Sequence, residues 1–209
     1  MPEPQRELAI TRVAFLELKD EQRLVQEGYE LLDEKRILLA AEIHRQLVRL
    51  RTLRASSQAA QRAARESVVA ALNCHGLDEL AVYPPLSMGE DSLRVTRSRL
   101  LGLELIDAQL QASAPRGSER PVNPTPEARA CALTHRTWLA IAVELASCCV
   151  NLRRLVYEYV RTERRARAIE NILLPEIVTG LKVIEEQLES MDHEEIARLR
   201  HRRASRGLE

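Results

Sequence analysis

Residues 16–50, LELKDEQRLVQEGYELLDEKRILLAAEIHRQLVRL, carry the pattern that decides the fold. Leu18, Val25, Leu32 and Leu39 recur every seven residues, and Leu24, Leu31 and Leu38 form a neighbouring row. The stripe continues through Ile43, Leu47, Leu50 and Leu53 in steps of three or four. An apolar seam with this spacing lies along one side of a helix, and sustained over several heptads it is the pattern of coiled-coil packing. No proline interrupts residues 7–72, and Gly76 follows Asn73-Cys74-His75 where a helix C-terminus takes positive φ. At 1.5 Å per residue such a helix is roughly 90–100 Å long, more than a small globule can bury.

A second seam occupies the other end of the chain. Trp138, Leu145, Leu152, Tyr159, Ala166 and Leu173 are seven apart, with Ile141, Cys148, Leu155 and Ile169 filling the other position. Thr125 is placed as N-cap and Pro126 as the first helical residue. Beyond Pro175 the stripe shifts to Ile177, Leu181, Ile184, Leu188 and Met191. An interior proline costs a helix about 3 kcal/mol, and periodicity that resumes directly beyond it predicts a bend and not an end.

The middle differs. Tyr83-Pro84-Pro85 breaks the helix and Gly89-Glu90-Asp91 reads as a turn. Ser92 to Arg97 alternates in polarity, and Leu100 to Ile106 is a strand-like run, so the segment predicts one β-hairpin. Ala112 to Glu127 holds Pro115, Pro121, Pro124 and Pro126 and reads as an exposed loop. The expected fold is mostly α: a long antiparallel two-helix coiled-coil hairpin with a small central head containing a short β-hairpin. Its parts are an N-terminal helix over 1–76, the head with its proline-rich loop over 77–125, and a C-terminal helix over 126–209. A parallel dimer is the rival geometry, and the proline-rich break favours folding back.

Composition agrees. Ala, Glu, Lys, Leu and Arg make up 113 of the 209 residues, about 54%, as in long helices. Only 6 residues are aromatic, too few for a large β-sandwich or doubly wound core. Basic and acidic residues balance at 31 each, so no global field steers the chain toward nucleic acid or an anionic membrane. No stretch approaches the ~20 apolar residues that span a bilayer. The N-terminus lacks the basic-then-apolar layout of a signal peptide. Cys74, Cys131, Cys148 and Cys149 show no CxxC spacing, and the adjacent pair reads as small buried residues of a reduced, cytoplasmic protein.

The motifs of catalysis are missing. No GxxxxGK[ST] loop occurs, and His193-Glu194-Glu195 is followed by Ile196-Ala197 and not by the second histidine of HExxH. His44, His75, His135, His193 and His201 are dispersed, so neither a metal nor another cofactor is expected and no residue is nominated as catalytic.

Arginine supplies 28 of the 31 basic residues. One group is Arg49, Arg51, Arg54, Arg62 and Arg65; a second is Arg161, Arg164, Arg165 and Arg167, expected at a comparable height in a hairpin. A third closes the chain: Arg198, Arg200, Arg202, Arg203 and Arg206. Solvated faces with i,i+4 partners, such as Glu163 with Arg167 at ~0.3 kcal/mol, are one reading. Docking onto acidic protein surface is the other; nucleic acid is disfavoured by the absence of stacking aromatics.

Two stretches resemble the D subunit, the central-stalk rotor component of V-type and A-type rotary ATPases. Thr11-Arg12, Leu16, Leu18-Lys19, Leu24, Gly28, Leu31-Leu32, Lys35-Arg36 and Leu39 resemble the family's opening helix. Arg164-Arg165-Ala166-Arg167-Ala168-Ile169-Glu170, then Ile172-Leu173-Leu174-Pro175, resemble its C-terminal Arg-Arg motif and aliphatic-Pro step. Ile184 to Glu189 and Arg198-Leu199-Arg200 resemble its tail, and Leu100 to Leu105 its middle segment. The sequence departs from the family's form at Ile10, where proline is usual, and at Arg167, where asparagine is usual.

The resemblance implies a non-catalytic rotor whose paired ends stand inside a ring of catalytic A and non-catalytic B subunits. The small F subunit of the stalk would bind the coil and a membrane-side socket subunit the head, leaving the chain cytoplasmic and peripheral, without direct membrane insertion. It implies partner contacts at Lys35, Arg36, Arg164, Arg165, Arg198, Arg200, Arg202 and Arg203, and a bend or close packing at Gly28 and Pro175. A prefoldin-like chaperone arm or a coiled-coil scaffold is the alternative. Such an arm would keep apolar tips for clients, whereas Arg198 to Arg206 is densely charged.

Overall fold

A computed structural model describes residues 11–81, 93–111 and 124–206. In chain order they form α1 (Arg12–Ala81), β1 (Leu93–Leu100), β2 (Leu103–Leu110), α2 (Pro126–Ala168), a π-helical turn (Ile169–Leu173) and α3 (Leu174–Arg206). The expected class holds: mostly α, with long helical arms and one antiparallel β-hairpin. Tyr83-Pro84-Pro85, Gly89-Glu90-Asp91 and residues 112–123 lie outside the described residues. The chain divides into two compact units, one of Met1–Ile37 with Val160–Glu209, the other Leu38–Tyr159.

In the unit Leu38–Tyr159 the helices run antiparallel. The Cys148 thiol donates to the Gln46 carbonyl at 3.6 Å, the Ser67 and Thr134 hydroxyls meet at 2.7 Å, and His75 meets Thr125. Leu39, Ala64, Ala71, Cys148 and Leu155 are buried along the seam. Gly76 has the expected positive φ, 71°, yet helical structure resumes beyond it as far as Ala81. His75, directly before, is buried against Thr125, which caps α2 through a 3.4 Å bond from the Ala128 N–H.

The β-hairpin does not stand clear of the helices. Leu105 of β2 forms a buried cluster with Leu39 and Leu155, and Ile43, Leu100, Leu103 and Tyr159 pack around it. Leu100 pairs with Leu103 across the two-residue loop Leu101-Gly102, whose φ values are 50° and 84°. Two positive φ values mark a type I′ turn, which suits glycine at 102 but leaves Leu101 in the left-handed region that side chains with a Cβ avoid.

The register also fixes which backbone groups point away from the partner strand. In an antiparallel ladder hydrogen-bonded and non-bonded pairs alternate. The tight turn makes Leu100–Leu103 a bonded pair, so Ser98–Leu105, Thr96–Asp107 and Arg94–Gln109 are bonded too. Glu104 and Ile106 therefore turn their outward groups toward the helices. Asn151, buried on α2, accepts from the Ile106 N–H at 2.8 Å and donates to the Ile106 carbonyl at 2.7 Å. Arg154 donates to the Glu104 carbonyl at 2.7 Å, and Arg49 of α1 reaches Asp107 at 3.1 Å. The carboxamide of Asn151 thus does for β2 what a third strand would do.

In the other unit Arg12 meets Asp192 at 3.0 Å and Arg36 meets Glu163 at 2.9 Å, again an antiparallel pairing. Ala166, Ile177 and Ile184 are buried, and Leu18, Val25 and Leu32 are half-buried. The neighbouring row is a correction to the sequence reading: Leu24 and Leu31 are 69% and 67% exposed. Consecutive helical residues are about 100° apart, so a helix that turns Val25 and Leu32 to its partner turns Leu24 and Leu31 aside. Polar and small side chains fill the second seam position instead, at Gln22, Gly28 and Arg36, all half-buried.

Replacing Asn151 with Ala strips the Ile106 N–H and carbonyl of their partners, a loss of about 2–4 kcal/mol. A lower urea midpoint is expected, with amide exchange accelerated at Ile106 and little changed near Ser67 and Thr134. Unchanged exchange at Ile106 contradicts the docking role.

Candidate functional site

The residues singled out in the sequence do not gather into one pocket; they lie along helix faces. Arg36 is engaged inside its own unit. It donates to Glu163 at 2.9 Å and to Asp33 at 2.5 Å, and its side chain is only 30% exposed. Glu163 also takes Arg167, four residues along the same helix, at 2.7 Å. Two guanidinium groups on one carboxylate favour its ionised form: the hydrogen bond from Arg36 leads in holding Glu163 below the ordinary glutamate value, and Arg167 adds to it. Lys35, beside Arg36, is half-buried.

Arg164 and Arg165 are exposed and form no ion pair among the described residues; the same holds for Arg200. Arg198 is paired to Glu194 at 3.0 Å on its own helix, and Arg202 is exposed. The Arg203 side chain lies outside the described residues. Within one unit Glu163 stands beside Arg36, and within the other Gln46 meets Cys148 and Ser67 meets Thr134.

Pro175 is the second residue of α3, directly after the π-turn, where the Leu174 N–H bonds back to the Ile169 carbonyl. A π-turn adds one residue to a helical turn. Its consequence is visible in burial: Leu173, which the seven-residue count places in the seam, is exposed, and Leu174 takes the inward position ahead of Ile177. The shifted stripe beyond Pro175 was the legible trace of this insertion; the π-turn itself carries no sequence signature of its own. Around Gly28 a Cβ would meet nothing within 4 Å, so no close approach requires a glycine there.

Sequence reading missed a set of exposed apolar side chains in this unit. Val13, Leu16, Leu24 and Leu31 on α1 are 60–69% exposed, and Ile172, Val178 and Met191 on the other arm are 50–57% exposed. The heptad count alone places Leu24 and Leu31 in the seam. Among the described residues no group of three or more His, Cys, Asp or Glu could hold a metal, and no helix is long and apolar enough to cross a membrane. Burial pushes the Cys148 thiol up, which keeps it protonated and unreactive.

Residues 14–204 match the family model for the D subunit of ATP synthase. The V-type ATP synthase D subunit of Anaeromyxobacter dehalogenans strain 2CP-C is 30% identical over 200 residues, which is 94% of this chain and 95% of that protein. The A-type ATP synthase D subunit of Pyrococcus horikoshii is 28% identical over 203 residues, 93% of this chain and 92% of that one. The V-type D subunit of Thermotoga neapolitana is 23% identical over 193 residues, 92% and 95% of the two chains.

The lowered pKa of Glu163 makes its tie to Arg36 pH-dependent. A depressed carboxylate stabilises the fold above its unfolded value, and that contribution fades as pH falls through 4.5 toward the folded value. Wild type is expected to melt above Glu163→Gln at neutral pH, with the gap closing as pH drops below 4.5. A gap independent of pH contradicts the assignment.

Proposed function

The chain belongs to the family of ATP synthase D subunits, and from that premise we propose that it is the central shaft of a V/A-type rotary ATPase. It is one component of that complex, and its own part is mechanical: it binds no nucleotide and performs no bond chemistry. It couples ATP hydrolysis or synthesis in a ring of catalytic A and non-catalytic B subunits to proton or sodium movement through the membrane sector. The observation that carries this reading is the exposed apolar surface of the unit that holds both chain ends, with Leu16, Leu24, Leu31, Val178 and Met191 unburied. Exposed apolar side chains in this number on both arms suit a protein-binding role.

The ring closes around this unit, apolar side chains meet the inner wall, and Arg164, Arg165, Arg198, Arg200, Arg202 and Arg203 meet acidic loops of the ring. Lys35 and Arg36 lie on the other arm, on α1; the Arg36 guanidinium acts by holding Glu163. The small F subunit binds the coil, and residues 77–125 engage the membrane-side socket subunit. The protein works at the cytoplasmic face, peripheral to the membrane.

Coupling is a population shift. Three catalytic interfaces that meet different faces of an asymmetric shaft are biased toward different nucleotide states, so turning the shaft cycles each through binding, reaction and release. The π-turn and Pro175 supply asymmetry in one arm only.

Pull-down of the tagged chain from native lysate is expected to recover the A and B subunits with a small partner. Leu24→Glu with Leu31→Glu should weaken recovery of A and B about tenfold or more, with the helical circular dichroism signal retained, because both side chains are already exposed. Recovery of unfolded clients, or undiminished recovery by the variant, refutes the shaft reading.

Pro175→Ala tests the source of asymmetry. Ions moved per ATP are expected to fall while the variant still assembles with the ring. Unchanged coupling places the asymmetry elsewhere.

A further inference from the structure

The two edges of the β-hairpin are treated differently. On β2 the outward backbone groups of Ile106 and Glu104 are taken by Asn151 and Arg154 of α2. By the same register the outward groups of β1 belong to Leu93, Val95, Arg97 and Arg99, whose pairs with β2 are the non-bonded ones. Among the described residues none of these groups has a partner, and the sheet has two strands. The side chains tell the same story: the first seven residues of β1 are exposed, Leu93 at 50% and Val95 at 46%.

An eight-residue edge strand, open along its ladder, takes another strand by main-chain pairing. Its side chains specify which. β1 carries Arg94, Arg97 and Arg99 and no acid. Arg97 reaches Glu104 of β2 at 3.4 Å, while Arg94 and Arg99 make no ion pair among the described residues. Like charges directly opposite one another across strands are destabilising, so two copies of β1 repel one another. Arginines on an edge also guard against indiscriminate pairing. They leave one kind of occupant favoured.

We infer that the outer edge of β1 is a docking site for an extended, acidic strand of a partner protein. Read antiparallel to β1, that strand places acids opposite Arg99, Arg97 and Arg94 and apolar side chains opposite Val95 and Leu93. The existing partner β2 follows part of this pattern, with Glu104 opposite Arg99, Ala108 opposite Val95 and Leu110 opposite Leu93. Main-chain bonds to Val95, Arg97 and Arg99 supply the ladder, and charge supplies the selection.

The test uses the full-length chain and the peptide Leu-Glu-Thr-Glu-Thr-Val-Glu-Leu, with amide exchange followed by NMR. At about ten times the peptide Kd, exchange at Val95, Arg97 and Arg99 should slow about tenfold, and a version with lysine for glutamate should leave it unchanged. Val95→Pro removes one outward N–H and spares the inward ladder, as proline on an edge does. It should abolish the effect while Thr96 and Ser98 keep their protection. Equal slowing by the lysine peptide, no slowing by either, or slowing that follows chain concentration alone, the mark of a β1–β1 dimer, overturns the inference.

Discussion

Two helices in contact share a single line, and that line can bury only one narrow stripe from each. In both units the fully buried residues are few and spaced along it: Leu39, Ala64, Ala71 and Leu155 in one, Ala166, Ile177 and Ile184 in the other. Each buried leucine or isoleucine contributes roughly 1.5–3 kcal/mol, so a long pairing accumulates stability by repetition where a globule would build a core. The chain holds far more apolar side chains than such a stripe can take. Those left over, from Val13 to Leu199, form the outer surface, and that surplus is the physical origin of its suitability for binding.

A narrow seam also tolerates polar residues that a thick core would reject. Glu42 and Gln46 are buried and bonded to each other at 2.8 Å, and the Cys148 thiol donates to the Gln46 side-chain oxygen at 3.4 Å. Among the described residues no buried side-chain nitrogen or oxygen lacks a partner. The same tolerance explains Asn151, which occupies a buried position and satisfies the hairpin edge with two hydrogen bonds. Where the helices alone cannot widen the core, Leu105 of the hairpin enters it and Asn151 holds it there.

The periodic residues made the helices, the strand pair and the Pro126 start legible in sequence, because seam spacing, alternation and proline each have a local cause. What was not legible arose from geometry between elements. Whether Leu24 or Val25 faces inward differs by one residue, and a heptad count cannot separate them when both rows are leucine or valine. The docking of the hairpin against Leu39 and Leu155 was not legible, because nothing in Leu93 to Leu110 announces which helical residues it meets. The arginines were legible as a class and not as roles: Arg36 and Arg49 are committed to Glu163 and Asp107, whereas Arg164, Arg165 and Arg200 are exposed.

The π-turn joins these observations. A helix arm that must keep its stripe inward over many turns drifts about 20° per heptad unless it supercoils or changes residue count. Inserting one residue between Ala166 and Ile177 re-phases the stripe in a single turn, and it moves Leu173 out and Leu174 in. It does so next to Pro175, where the ladder already lacks an N–H, so two departures from regular helix are confined to one short stretch. The opposite arm is a regular helix through the same unit, interrupted by nothing between Arg12 and Ile37. The two arms therefore differ in kind at one level, and a ring that surrounded them would meet unlike faces. An asymmetry fixed in the backbone cannot average out as side chains change rotamer, which is what the proposed shaft, meeting three otherwise equivalent partners, requires.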